Sequence, residues 1–323
     1  MRGLLFMCAL GLVMVVIFAL RQPVVSSYHQ SPENARQILM AQGIPFNTFE
    51  FIRHAADAPP GILALFINGL VHPNAITQDG YTALMVAARA GNAPNVTFLL
   101  KAGASVRPRT TSGVTALMMA AEDCTHPELI RMLLNAGSQI NEEADDGSTA
   151  LTLASPSRRC NPDVIKELVK AGADPNHINH HGWTPLMKAI TNNCLANVNV
   201  LLELGANPNQ KAGKYEWPPI VAAVVNAVRQ HGSGEQMVES LIKHGADPNA
   251  SGKNTSNALK HARGHATLSK LLLDAGAAPL PPAANEARVY NDPLKENDLL
   301  PPIDCKAFNK ALNLKLPCYG EYH

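Results

Sequence analysis

The stretch GYTALMVAARAGNAPNVTFLLKAGA, Gly80 to Ala104, holds two short helical patterns in twenty-odd residues. Thr82 directly precedes an Ala/Leu run, where its hydroxyl oxygen accepts the amides left unbonded at a helix start. Gly91 interrupts that run. Val96, Leu99 and Leu100 then recur at the spacing of one helical face. Gly103 follows as a left-handed C-cap. The stretch reads as helix, turn, helix, with one apolar side on each element and no core of its own.

The same phrase returns three times. GVTALMMAAEDCTHPELIRMLLNAGS starts at Gly113, GSTALTLASPSRRCNPDVIKELVKAGA at Gly147, and GWTPLMKAITNNCLANVNVLLELGA at Gly182. Their opening glycines lie 33, 34 and 35 residues apart. The closing glycines, Gly69, Gly103, Gly137, Gly172, Gly205, Gly245 and Gly276, extend the series with steps of 34, 34, 35, 33, 40 and 31. A period near 33 marks a repeat array in which each unit buries its apolar side on its neighbours. Thr82, Thr115, Thr149 and Thr184 are the expected helix caps.

The phrases DGYTALMVAARAG and HGWTPLMKAI and the endings KAGADPN, ELGANPN and KHGADPN resemble the ankyrin repeat family, over about Asn47 to Pro279. The resemblance implies an all-α solenoid of helix-turn-helix units with short β-hairpin fingers. Here one N-terminal apolar helix precedes it. Three positions after the capping threonine the family usually carries histidine, whereas this chain has Met85, Met118, Thr152 and Met187. Thioether packing is the expected replacement for that polar tie. FIRHAADAPPGILALFINGLVHPNA reads as an N-terminal capping unit, and Asn257, Lys260 and His261 mark a polar closing unit. The sixth unit carries about six extra residues, expected to lengthen its helices or the loop around Gly232 and Gly234. The division is 1–22 membrane anchor or signal, 23–46 linker or extension, 47–280 an array of six to seven units, and 281–323 a proline-rich tail.

A formal charge of +1 with 16% charged residues gives no bulk electrostatic reason to expect nucleic acid as a partner. Leu4 to Leu20 is an apolar run of 17 residues between Arg2 and Arg21. That length is at the short limit of a membrane span and long for a signal core, so both an uncleaved anchor and a signal cleaved near Ser27 stay open. With Arg2 inside, the repeats face out of the cytoplasm, which in a bacterium means the periplasm. In an oxidising compartment Cys305 is expected to bond Cys318, and Cys160 either Cys124 or Cys194. The last twenty or so residues suit one short helix.

The chain contains no Gly-x-Ser-x-Gly elbow, His-Glu-x-x-His, phosphate loop or paired CxxC. His177, His180 and His181 beside Glu142, Glu143, Asp145 and Asp146 read as solvated finger tips rather than a metal site. Arg107 and Arg109 are expected to pair loosely with those acids. No cofactor and no catalysis are expected. In ankyrin proteins the fingers and first helices line a groove that grips other proteins. The resemblance thus nominates Tyr81, Arg89, Arg109, Val114, Asp145, Asp146, His180, His181, Trp183, Tyr215 and Trp217 as partner-contacting residues. The slot just before each cap is expected to be exposed, although the two tryptophans there have an alternative role as finger buttresses. The expected function is non-catalytic binding of a protein outside the cytoplasm. Its alternatives are neutralisation of an envelope toxin or enzyme and, from another class, an enzyme working through the tail.

Overall fold

The computed structural model describes residues 31–280 and 305–314, apart from 124, 157–160, 214–215, 230–232 and 254–256. Helix α1 spans Pro32–Ala41. Seven helix pairs follow: α2 (Thr48–His54) with α3 (Pro60–Asn68), α4 (Ala83–Arg89) with α5 (Ala93–Lys101), and α6 (Ala116–Asp123) with α7 (Pro127–Asn135). Next come α8 (Ala150–Ala154) with α9 (Pro162–Lys170), and α10 (Pro185–Thr191) with α11 (Leu195–Glu203). The last pairs are α12 (Pro219–Arg229) with α13 (Gly234–Lys243), and α14 (Ala258–His261) with α15 (Ala266–Asp274). Helix α16 covers Cys305–Leu312. First helices pack on first helices from α2 to α14, and second helices on second helices from α3 to α13. The result is a two-layered solenoid with one continuous apolar core.

The capping threonines perform as their position demands. Thr82, Thr115, Thr149 and Thr184 each accept, on Oγ1, the amide three residues on, at 3.2, 3.3, 3.3 and 3.1 Å. Asn47 and Asn257 do the same at the two ends of the array. Met85, Met118, Thr152 and Met187 are all buried in the first-helix layer. In the sixth unit α12 has 11 residues against 7 in α10, so the insertion lengthens a helix. Gly234 lets α13 approach, because a Cβ there would fall 2.7 Å from the Ala227 nitrogen.

The first unit departs from the reading of its closing glycine. Gly69 has φ −72° and is the C-cap itself, while the left-handed position falls on Leu70 at φ 77°. Gly69 is small for a different reason: a side chain there would run into the Phe46 ring. The segment 23–46, expected as linker or extension, contains α1, which packs on α3 and so begins the second-helix layer with no first helix of its own. Arg36 of α1 donates to the Gly69 carbonyl at 3.1 and 3.0 Å and lies over the Phe46 ring. A cation and a polar outer face thus close the end of the stack.

Consecutive units are also tied by an asparagine ladder that sequence analysis did not single out. Each asparagine four residues beyond the left-handed position donates from Nδ2 to the next unit's closing Gly carbonyl and accepts, on Oδ1, the amide two residues further on. Asn74 joins Gly103 and Ser105, Asn141 joins Gly172 and Asp174, and Asn176 joins Gly205 and Asn207. Asn209 joins Gly245 and Asp247, and Asn249 joins Gly276 and Ala278. The single gap is at Arg107, which Pro108 follows. In four other units the residue at the proline position donates its amide back three residues to close the turn, at Ala75, His177, Gln210 and Ala250. Proline has no such amide and disfavours the turn conformation in the residue before it. Arg107→Asn alone should therefore leave stability unchanged, whereas Arg107→Asn with Pro108→Ala should add a rung and stabilise by about 1 kcal/mol. Asn176→Ala should cost about as much. Denaturant unfolding of the three variants checks this.

Candidate functional site

The fingers between units are tight turns rather than extended hairpins. Each is closed at its base by one or two backbone bonds, such as Thr110 to Val114 and Asn179 to Trp183. Among the described residues only isolated bridges form, at Ile76 with Thr82, Ala212 with Trp217 and Ser251 with Asn257. Adjacent fingers are linked in a row: the amides of Thr111, Asp145, His180 and Gly213 donate to the carbonyls of Asp79, Ser112, Asp146 and Gly182. Gly113, at φ 77°, allows this contact, because a Cβ would meet the Asp145 amide nitrogen at 2.9 Å.

That close approach decides the fate of the slot before each cap. Trp183 and Trp217 are 6% and 7% exposed, and Val114 is fully buried. The Trp183 ring lies against Gly213 of the next finger with the Lys188 ammonium 5.3 Å from its centroid. The Trp217 ring packs 5.4 Å from His261 on α14. The expectation that this slot is exposed fails. The following unit covers both tryptophans, through Gly213 of its finger for Trp183 and His261 of its first helix for Trp217, and they are buttresses between units. Arg89, at 7% exposure, is likewise buried and pairs with Glu122 at 2.9 Å. Tyr215 lies outside the described residues.

What remains exposed is the row of tips. Arg109, Asp145, His180 and His181 are exposed, and Asp146 is half-buried. Arg109 donates to the carbonyls of Gly113 and Glu143, and its Nη1 lies 3.4 Å from Glu142 Oε1. The ion pair itself is exposed and contributes ~0 to 1 kcal/mol. Asp146 accepts from the Ser148 amide and hydroxyl. His177 and His180 donate ring N–H groups to the carbonyls of Gly147 and Asp145 at 2.7 and 3.1 Å. These rings hold neighbouring fingers together. No group of three or more metal-ligating side chains is assembled among the described residues.

Cys194 stands at the N-cap of α11 and is half-buried. Its candidate partners Cys124 and Cys160 lie outside the described residues, as does Cys318, the expected partner of Cys305. The apolar run Leu4 to Leu20 also lies outside them, and no helix within them is long and apolar enough to cross a membrane. Asn95, which opens an Asn-x-Thr pattern, is fully buried and donates to the Ala55 and Ala58 carbonyls, so its amide is committed to the fold.

The expected short helix in the tail is α16, and it docks on the first-helix side. It packs on α2 and buries Phe308 completely. The Phe308 ring meets Tyr81 edge-on, with centroids 4.9 Å apart, and the Arg89 guanidinium lies 4.6 Å over it. Both contacts are of the favourable aromatic kind. Two of the residues nominated from the sequence are thus brought together, but around a residue of the chain's own tail.

A repeat solenoid with a row of finger tips and an occupied first-helix groove is a binding scaffold. A family model described as "Ankyrin repeats (3 copies)" matches residues 52–144 and 123–212, and the chain belongs to the ankyrin repeat family. It is 23% identical to the E3 ubiquitin-protein ligase KEG of Arabidopsis thaliana over 85% of its length, and 31% identical to the B-cell lymphoma 3 protein homolog of Mus musculus over 45%. It spans only 19% and 31% of those two proteins. The human ASB11 ankyrin repeat domain matches 71% of the chain and 99% of its own length with TM-score 0.61 and 23% identity. The Bcl-3 ankyrin repeat domain matches 62% and 89% with TM-score 0.53 and 30% identity.

Two outcomes follow. Trp183→Ala and Trp217→Ala should each destabilise by ~3 to 5 kcal/mol, like other large buried side chains, which a denaturant melt measures. His54, packed edge-on against Phe66, and His261, packed on Trp217, both titrate below the ordinary imidazole value. Burial is the main cause in each, followed by the charge of Arg53 and of Arg229 respectively. The unfolded chain therefore binds more protons than the folded one below about pH 6.5. Stability should be full above that pH and fall as the pH drops below it, through the depressed folded-state values. Replacing both histidines by glutamine should flatten the profile.

Proposed function

We propose that this chain is a non-catalytic module that holds another protein against its first-helix groove and finger tips, displayed outside the cytoplasm. The observation that carries the reading is Phe308, a side chain from far along the sequence that the groove at Tyr81 and Arg89 already buries. A surface that sequesters an aromatic anchor has the chemistry of an interface core. The tips Arg109, Asp145, His180 and His181 supply an exposed, mixed-charge row along the successive fingers. The apolar run behind Arg2 supports the outward orientation, either as an anchor or as a cleaved signal.

The test has two parts. A C-terminal alkaline phosphatase fusion should be active in a bacterial host, and an inactive fusion would overturn the orientation. Photo-crosslinkers placed at His180 and Tyr81 should give the same discrete adduct in cells, while one at Arg131 on the second-helix layer should give none. Equal labelling from all three positions would overturn the binding surface.

A further inference from the structure

Helix α16 shows what kind of occupant the groove accepts. Phe308 and Leu312 are 0% and 1% exposed, whereas Lys310, Ala311 and Asn313 face outward. Residues four apart share one side of a helix, so among the described side chains of α16 the fully buried stripe is one aromatic and one leucine. Its end is shaped by local bonds: Asn313 adopts φ 48°, and the Leu314 amide donates to the Asn309 carbonyl at 2.8 Å. Eight residues are too few for a helix to persist unaided in water, where ~12 to 15 are marginal. The groove is therefore what holds α16 in shape, through Tyr81, Arg89 and α2.

The contact is also built so that it can be exchanged. Residues 281–304 join α16 to the array and include Pro281, Pro282, Pro293, Pro301 and Pro302. A connection of about two dozen residues reaches at most ~80 Å, and five units stacked ~10 Å apart separate α14 from α4. A connection of that length suffices for the span, and the covalent linkage sets an effective concentration of α16 at the groove. The array is complete without α16, because the first-helix layer runs from α2 to α14 and the second from α1 to α13 on their own contacts, with α15 packed on α14.

We infer that α16 is a resident ligand. It marks a docking site for a partner protein's amphipathic helix carrying an aromatic residue four positions before a leucine, and such a helix binds by displacing α16. This rests on the groove reading above and specifies its partner chemistry. When α16 leaves, the Arg89 guanidinium and the Tyr81 ring lose their aromatic neighbour together. An incoming aromatic residue restores both contacts, while an aliphatic one restores neither. The tail lowers the apparent affinity for the partner by the fraction of time the groove is filled.

The probe is a labelled synthetic peptide of residues 303–316 with Cys305→Ser, titrated by fluorescence anisotropy against the full chain. Phe308→Ala and, separately, Leu312→Ala in the full chain should each bind it at least tenfold more tightly than the unmodified chain does. Adding Tyr81→Ala to Phe308→Ala should weaken that binding about fivefold, and a peptide with Leu in place of Phe308 should bind at least tenfold less. Melts of each variant report whether the array stays folded. Equal affinity of the unmodified and Phe308→Ala chains would overturn displacement. No peptide binding by a variant whose array melts normally would overturn the helix-docking site. Groove-specific crosslinks in cells alongside either negative result would leave the binding module standing and reject only the helix chemistry.

Discussion

A pair of helices four to eleven residues long has one apolar side on each element and nothing of its own to bury it against. Everything in this molecule follows from that shortage. Each unit must lie on the next, so the chain grows in one dimension, with a first-helix layer, a second-helix layer and a core that never closes on itself. Stability is then a sum of joints. The joints are built from the same parts each time: a threonine cap, a left-handed glycine, a finger amide on the previous finger's carbonyl, and an asparagine bridging two turns. Where one part is missing, as at Arg107 and Pro108, the reason is local and chemical.

The ends show the same constraint from the other side. A stack of identical units would leave an apolar face bare at each terminus. At the start, α1 covers α3 and Arg36 takes the carbonyl that no asparagine reaches. At the far end, α14 shortens to four residues, with Asn257 as cap and Lys260 exposed. These departures from the repeat are what allow it to stop.

The same closeness of neighbours redistributes the surface available for binding. Side chains at the base of the later fingers fall under the next unit, so Trp183 and Trp217 spend their area on the joints between units. Residues at the tips stay in water. Tyr81 is half-buried because its aromatic neighbour is Phe308, from the tail, rather than a part of the framework. Among the described residues, the groove around it is where the first-helix layer meets a segment outside the repeats, and this is why the functional reading centres there.

By itself the sequence determined the architecture, the register of the units, the threonine caps and the insertion in the sixth unit, and it suggested the helix in the tail. All of these rest on contacts within one unit or on a period that repeats, and such signals are printed locally in composition and spacing. The rest was out of its reach. That the insertion lengthens a helix rather than the loop came from the structure. The burial of Trp183 depends on how near Gly213 comes, the asparagine ladder on carbonyls one unit away, and the helical start at Pro32 on an apolar face of α3. Above all, Phe308 meets Tyr81 and Arg89 across the length of the array. A contact between residues so far apart leaves no periodic trace, because an aromatic in a proline-rich tail looks the same whether or not a groove awaits it. Only the tertiary structure, which brings the tail helix back to the first units of the array, decides that.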